Sequence, residues 1–406
     1  MSEKIQSVSS ANRTHIGFFG RMNAGKSTLI NSLTGQTTAI VSAQPGTTTD
    51  VVSKAMEIHG IGACTILDTA GLDDTSELGP QRIEAAKKAA MKTDLAAVLF
   101  YDEKEDLEKK VVAFFKAHKI PVVGVVSHYD EIDHEKGQER IARLEKELQI
   151  PVVPFAQNDK QGGEVRLALI RAIQGHMEKR SPLKGLVKAG DFVVLVMPQD
   201  PQAPEGRLIQ PEVQTIRDGL DKECIVICVT LDGLKPALEN LKKHPDLIVT
   251  DSQAFKEVYP LVPEGTRLTS FSILFAALKG DIQYLSKSAA AIETLTPSSK
   301  VLIAECCTHA PMDEDIGRIK IPRLLRKKVG QDLSIEVKAG TDFPEDASEY
   351  DLIIECGGCM FNRRYILSRI ESAEKKNVPM TNYGIALAYL NGILDKVTLP
   401  EEDKHE

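Results

Sequence analysis

Seven of the 406 residues are cysteines, and four of these fall in two short segments with metal-ligand spacing. ECGGC, Glu355 to Cys359, sets Cys356 and Cys359 as C-x-x-C around two glycines, and ECCTH groups Cys306, Cys307 and His309. Three thiolates with one further ligand suit an iron-sulfur cluster or a Cys3His zinc site. Gly357 and Gly358 allow a tight backbone path between the cysteines and leave N–H groups to face sulfur. A regulatory C-x-x-C that cycles to a disulfide is the other chemistry open to these residues, and it leaves Cys307 and His309 without a role. Cys64, Cys224 and Cys228 lie in apolar runs and are read as core, as is Cys306, which faces opposite to Cys307 along a strand.

A second constellation binds phosphate. GRMNAGKS, Gly20 to Ser27, fits G-x-x-x-x-G-K-S between an apolar run and the helical pattern STLINSLTG. The loop through Asn23, Ala24 and Gly25 offers backbone N–H groups to phosphates at the start of a helix that includes Thr28; Lys26 reaches the outer phosphates, and the Ser27 hydroxyl can ligate magnesium. In LDTAG, Asp68 can hold magnesium through water and the Gly71 N–H can meet the terminal phosphate. PGTTTD, Pro45 to Asp50, is a polar loop between the first helix and the next strand. SHYD, Ser127 to Asp130, follows the apolar run PVVGVV, and the Asp130 carboxylate, which the GTPase resemblance given below places at the guanine, can accept from two N–H groups of a bound base.

These groups need sheets to carry them. From His15 to about Ile173, the runs HIGFFG, ACTILDT, LAAVLFY, PVVGVVS and PVVPFA alternate with helical patterns, the signature of a doubly wound parallel sheet. The expected organisation is a P-loop GTPase domain over 1–175, a linker over 176–190, a small α/β domain over 191–268 and a metal-binding α/β domain over 269–406. DFVVLVMP, ECIVICVT and DLIVTDS are strands of the third segment, with PEVQTIRDGL and LKPALENLKK as helices between them. KVLIAECC, LSIEVKAG, DLIIECGGC and VPMTNY are strands of the last. If KVLI and DLII are parallel in one sheet, both cysteine segments emerge at its carboxyl edge, where open α/β sheets bind ligands.

Composition limits the partners. With 42% apolar and 27% charged residues the chain is of ordinary globular type. A formal net charge of -8, no tryptophan and few aromatics argue against nucleic acid as a partner. The start MSEKIQSVSS is polar, and runs such as FSILFAAL fall far short of the roughly 18 residues that a membrane span needs, so a cytoplasmic location without membrane contact is expected. In MDEDIGRIKIPRLLRKK the cations Arg318, Lys320, Arg323, Arg326, Lys327 and Lys328 read as a solvated helix face, with guidance of an anionic cluster or acidic partner as the sharper alternative.

The first-domain motifs resemble the translation-factor-like GTPases, in particular the branch that holds the tRNA-modification and Era-like GTPases. That resemblance implies Thr48 as the switch threonine on magnesium, with Thr47 beside it, and Asn23 as the holder of an activating potassium ion. Leu72 stands where Ras-like members keep the water-orienting glutamine, which implies potassium activation and paired G domains. SHYD departs from the N-K-x-D of that group, with Ser127 and His128 in place of Asn and Lys, and Ala156-Gln157 replaces its Ser-Ala. Weaker nucleotide affinity and looser selectivity are therefore expected.

Over essentially its whole length, through CTH, ECGGC, AECCTHAPMDEDIGRIKIPRLL and TNYGIALAYL, the chain resembles the HydF family of FeFe-hydrogenase maturation scaffolds. The family pattern is C-x-H followed by H-C-x-x-C. It implies that Cys307, Cys356 and Cys359 hold a 4Fe-4S cluster and that His309 matches the first histidine. Glu355 replaces the second histidine, so His309 and Glu355 are the candidates for the fourth position, which becomes exchangeable. The resemblance further implies a homodimer joined through the middle domain. Its diiron precursor would be received from two radical-SAM maturases and passed to apo FeFe-hydrogenase, with GTP hydrolysis timing partner exchange. A zinc-bearing G protein acting in RNA modification is the rival reading.

Overall fold

The computed structural model describes residues 10–34, 52–58, 60–69, 73, 86–159, 162–174, 180–197, 208–306, 315–340, 342–344 and 346–401. Thr47, Thr48, Gly71, Leu72, Cys307 and His309 lie outside the described residues. Two compact units divide the chain, Met1–Glu178 and Lys179–Glu406.

The first unit is built on a six-stranded sheet of β1 (Thr14–Gly20), β2 (Val52–Ile58), β3 (Gly62–Asp68), β4 (Leu95–Phe100), β5 (Val122–Ser127) and β6 (Val152–Phe155), ordered β2-β3-β1-β4-β5-β6. Every position of β4 and β5 is buried, which is why LAAVLF and VVGVVS are continuous rather than alternating apolar runs. Helices cover both faces. Leu29 and Ile30 of Lys26–Thr34 share one core with Val165 and Leu169 of Gly163–Gln174. On the opposite face Val112 and Phe115 of Asp106–Ala117 pack with Ile141 and Leu144 of His134–Leu148.

The sheet is not wholly parallel. β2 pairs antiparallel with β3, while the other strand pairs run parallel. VSKAMEI intersperses charged residues with apolar ones, the pattern of an edge strand with one face exposed, and that weaker signal left it unread among the longer apolar runs.

The second unit carries two all-parallel sheets. One orders β7 (Phe192–Val196), β8 (Ile225–Val229), β9 (Leu247–Thr250) and β10 (Arg267–Ser270) as β10-β9-β7-β8. β10 runs across position 268, where the sequence reading divides two domains. The other orders β11 (Lys300–Glu305), β12 (Ser334–Ala339), β13 (Leu352–Glu355) and β14 (Met380–Asn382) as β12-β11-β13-β14. The sheets are separate but share a core, in which Val194 and Ile248 of one join Leu302 and Ile353 of the other.

The helix Phe271–Lys279 links them. It is apolar on all sides, so both flanks must be buried. Phe271 and Leu274 enter one core, and Ile273 and Ala276 the other. Its start is capped by Ser270, whose hydroxyl accepts from the Ile273 N–H. Leu183 and Leu186, within the expected linker, are buried in the core of the β7–β10 sheet. Cys64 and Cys224 are buried as expected; Cys228 is exposed, because β8 is an edge strand and turns it away from the core. Among the described residues no helix is long and apolar enough to cross a membrane.

Candidate functional site

β1 lies between β3 and β4, all three parallel, with Phe18 level with Asp68. The phosphate loop that leaves β1 and the Asp68 that ends β3 therefore share one sheet edge. The loop turns through left-handed backbone at Asn23 (φ 59°) and Gly25 (φ 82°) before the helix begins at Lys26. Gly20 is tied to its size, since an added Cβ would lie 3.1 Å from the Leu99 carbonyl oxygen. The Lys26 ammonium folds over the loop and donates to the carbonyls of Gly20 (2.9 Å) and Arg21 (2.7 Å).

Charge is concentrated there. Burial pushes the Lys26 amine below its ordinary pKa, opposed by Asp68, Asp73 and Glu108. Burial pushes Asp68 upward, opposed by Lys26 and Lys54 and by a hydrogen bond from Ser27. Ser27 and Asp68, the two magnesium candidates on described residues, thus meet. Asp73, missed in the sequence, accepts from the Met22 N–H at 2.7 Å.

SHYD is placed at the same edge. Ser127 is buried and donates weakly to Phe100 O at 3.4 Å. His128 sits at φ 52° with its Nε2 3.1 Å from the Asn23 carbonyl oxygen and its ring centroid 4.5 Å from that of Tyr101. A carbonyl only accepts, so Nε2 donates to it when it carries the proton, while Nδ1 lies between the Glu131 carboxylate at 3.1 Å and the Gln157 amide at 2.6 Å. His128 thus braces the phosphate loop from β5. Asp130 is exposed and accepts from the Gln157 N–H at 3.1 Å, which ties Ala156-Gln157 to the base-reading carboxylate.

The second site is set by register. Ala304 of β11 pairs with Glu355 of β13, so Cys306 and Cys356 leave adjacent strands side by side. The Cys356 N–H donates to Ala304 O at 3.0 Å, and the Cys306 N–H donates to the Cys356 sulfur at 3.1 Å. Gly358 takes φ 63°, and a Cβ there would approach Ile366 Cδ1 to 2.8 Å. Cys356 and Cys359 are both half-buried. Cys306, Glu355 and Cys356 offer ligand atoms within 4.8 Å of one another. Thiols, a carboxylate and a sulfur-facing N–H form a donor set that fits iron or zinc.

Two buried cations border this edge, and neither was legible as a site residue. Arg369, on the helix Arg363–Lys375, donates to Glu355 Oε1 at 2.6 Å and to Gly340 O, and lies over the rings of Phe343, Tyr365 and Phe361 at 4.9, 4.8 and 5.1 Å. Burial raises the Glu355 carboxyl, and Arg369 pulls it back. Burial also holds the Cys306 thiol well above its ordinary value, in keeping with its S–H donating to Glu355 at 3.3 Å. The second cation is Lys279, which donates to Gly358 O at 2.6 Å. Of the basic segment, Arg318 is held by Glu305 (3.0 Å) and Lys320 by Gln253 O (3.0 Å), whereas Arg323, Lys327 and Lys328 are exposed.

Residues 283–400 match a family model described as the hydrogen maturase F tetramerization domain, and residues 183–280 one described as the hydrogen maturase F dimerization domain. The chain belongs to the hydrogen maturase F family. Residues 15–128 match the model of a 50S ribosome-binding GTPase, so this maturase F chain opens with a GTPase domain, of the class that hydrolyses GTP to GDP and phosphate. A GTPase domain followed by two hydrogen maturase F domains is the make-up of a hydrogenase-maturation GTPase.

Among curated relatives, the tRNA modification GTPase MnmE of Bacillus velezensis is 32% identical over 128 residues, 31% of this chain and 28% of that protein. MnmE of Salinibacter ruber is 42% identical over 99 residues, 24% and 21% of the two chains, and the GTPase Der of Borreliella burgdorferi 31% over 148 residues, 35% and 34%. The chain spans less than half the length of each of these relatives. Of solved structures, the G domain of the T. maritima FeoB iron transporter is 22% identical with a TM-score of 0.31, covering 40% of this chain and all of that one. Elongation factor SelB from Methanococcus maripaludis is 19% identical with a TM-score of 0.33, covering 44% and 38%.

In hydrogen maturase F terms, the cysteine edge falls in the segment matched as the tetramerization domain, and Lys279 reaches it from the end of the segment matched as the dimerization domain. Lys279 had one visible mark in the sequence: it is the lone charge of an otherwise apolar helix pattern. Arg369 had none, since RRYILSRIESAEK reads as a surface helix.

Replacing Arg369 with Met leaves the Glu355 carboxylate buried without its counter-charge, and should lower the unfolding free energy of the second unit by about 3–5 kcal/mol. Denaturant titration reads this directly; an unchanged midpoint would show that the pair does not hold the sheet edge.

Proposed function

We propose that the chain is a GTP-hydrolysing iron-sulfur scaffold that carries a diiron precursor and delivers it to apo FeFe-hydrogenase. The observation that carries this reading is the convergence of thiols at the carboxyl edge of the β11–β13 pair, within a hydrogen maturase F domain, in a chain that opens with a phosphate loop. Cys307, Cys356 and Cys359 are the proposed cluster ligands, and His309 and Glu355 the candidates for the fourth position. A cluster bound there supplies an iron site with an exchangeable ligand to the diiron substrate. Glu355, already paired with Arg369, is a weak ligand and suits an exchangeable position better than a fixed one.

In the first unit, Lys26 and the loop from Gly20 to Thr28 hold the phosphates of GTP, Ser27, Thr48 and Asp68 hold magnesium, and Gly71 meets the terminal phosphate. Asp130 reads guanine. Asn23 holds potassium, and its left-handed backbone, also suited to an asparagine without an ion, is steadied by His128. Hydrolysis times the exchange of partners, two radical-SAM maturases on loading and apo-hydrogenase on delivery, in the cytoplasm.

The segment 191–268 supplies a homodimer interface. β8 is an edge strand with Ile225 and Cys228 exposed, and Val213 and Leu220 of the helix Gln210–Asp221 are exposed beside it in sequence. β12, the exposed edge of the other sheet, instead carries Glu336 and Lys338, paired with Lys300 and with each other. Charges on an edge discourage strand addition; an apolar uncharged edge invites it.

Three outcomes are expected. Cys307→Ala, Cys356→Ala or Cys359→Ala abolishes iron loading after anaerobic reconstitution while GTP turnover stays near wild type, and iron retained by all three single variants contradicts the assignment. Potassium in place of sodium raises GTP turnover; a rate indifferent to the cation removes the role of Asn23. Ile225→Lys converts the dimer to monomer in light scattering, and a wild-type protein that is already monomeric defeats the interface.

A further inference from the structure

Lys279 ends a helix that is otherwise apolar, and it is only 5% exposed. Its ammonium donates to Gly358 O at 2.6 Å and to Phe361 O at 2.7 Å, carbonyls inside and just beyond the C-x-x-C segment. Burial pushes the Lys279 amine below its ordinary value, opposed by the thiols of Cys359, Cys306 and Cys356. Arg369, by contrast, is balanced by Glu355 at 2.6 Å. Two buried cations thus face one buried anion at the cysteine edge.

A buried ammonium without an anion is unfavourable, and two carbonyl dipoles offset only part of that cost. A small cavity lies against it, bounded by Lys279, Glu355, Cys356 and Gly357 and closed by apolar side chains such as Phe275 and Ile366. Within the same edge the second carboxylate oxygen of Glu355 is buried without a hydrogen-bond partner. The bare carboxylate oxygen calls for a donor or a metal, and the Lys279 ammonium for a negative charge; a metal cluster carried on thiolates would supply both. A 4Fe-4S cluster held by three thiolates is such a group, and its reduction potential follows local charge and burial.

We propose that Lys279 is the counter-charge of the cluster, a positioning residue that fixes the Gly358 turn and raises the cluster's reduction potential. The assignment rests on the cluster reading above. It extends that reading by naming a residue from outside the segment matched as the tetramerization domain that sets the cluster's charge balance.

The test compares wild type with Lys279→Met, Lys279→Gln and Lys279→Arg, each reconstituted anaerobically with iron and sulfide. Circular dichroism reports folding, chelator-driven iron release reports retention, and EPR-monitored titration reports the midpoint. Loss of the charge in Lys279→Met and Lys279→Gln is expected to speed iron release and to lower the midpoint by at least a tenfold change in the reduced-to-oxidised ratio, about 59 mV for one electron. Lys279→Arg is expected to stay near wild type. Two uncharged variants are used so that one that fails to fold leaves the other to decide.

Failure of both uncharged variants to hold iron, with retention in Lys279→Arg, also supports the proposal. A wild-type midpoint in a folded uncharged variant overturns it. So does Lys279→Arg behaving like Lys279→Met, which would reduce the side chain to a packing element. Wild type that takes up no iron defeats the cluster reading itself and is distinguished by being colourless before any variant is compared.

Discussion

Ala304 pairs with Glu355 across β11 and β13, and the metal chemistry of the second unit depends on that register. Because the two strands are parallel, the chain leaves both at one edge, and thiols distant in sequence become neighbours. A slip of one residue would turn Glu355 from its partner and exchange the faces of the whole strand. The register is held by what lies behind it. Leu302 and Ile353 are fully buried in the shared core, Leu352 and Ile354 in the opposite one, and Arg369 clamps the end of β13 from the helix Arg363–Lys375.

The first unit uses the same device for a different ligand. β1 and β3 run parallel with Asp68 level with Phe18, so the loop that wraps phosphate and the carboxylate suited to magnesium arrive at one edge without any direct sequence link. Desolvation sets the state of both sites. Lys26 and Asp68 are each pushed toward their neutral forms by burial and restrained by one another, so a polyphosphate with its metal would complete a set of charges that is already half assembled. His128 reaches back to the Asn23 carbonyl from β5, and the bracing of the loop is thereby retained although the Asn of the usual motif is absent.

Much of this was legible because it is written in strong local patterns. The phosphate loop, the strands that carry it and the C-x-x-C segment are marked by glycine spacing and by continuous apolar runs, and each stands where the sequence puts it. What was hidden is of two kinds. β2 and β10 are short or half-exposed strands without an apolar run, and only their neighbours define them. Arg369 and Lys279 are cations whose partners lie far off in the chain, Glu355 and Gly358, and a charged residue gives no sign in sequence of which carbonyl or carboxylate it will be buried against. Cys228 was misread for a related reason, since IVICV is apolar whether its strand is central or at an edge.

The most direct measurement is an anomalous-difference map at the iron edge from crystals of the anaerobically reconstituted protein. Iron peaks against the sulfurs of Cys356 and Cys359 at the carboxyl edge of β13 are expected. A single peak that appears only at the zinc edge, or no metal at that edge, would contradict the scaffold assignment and turn ECGGC into a structural clasp.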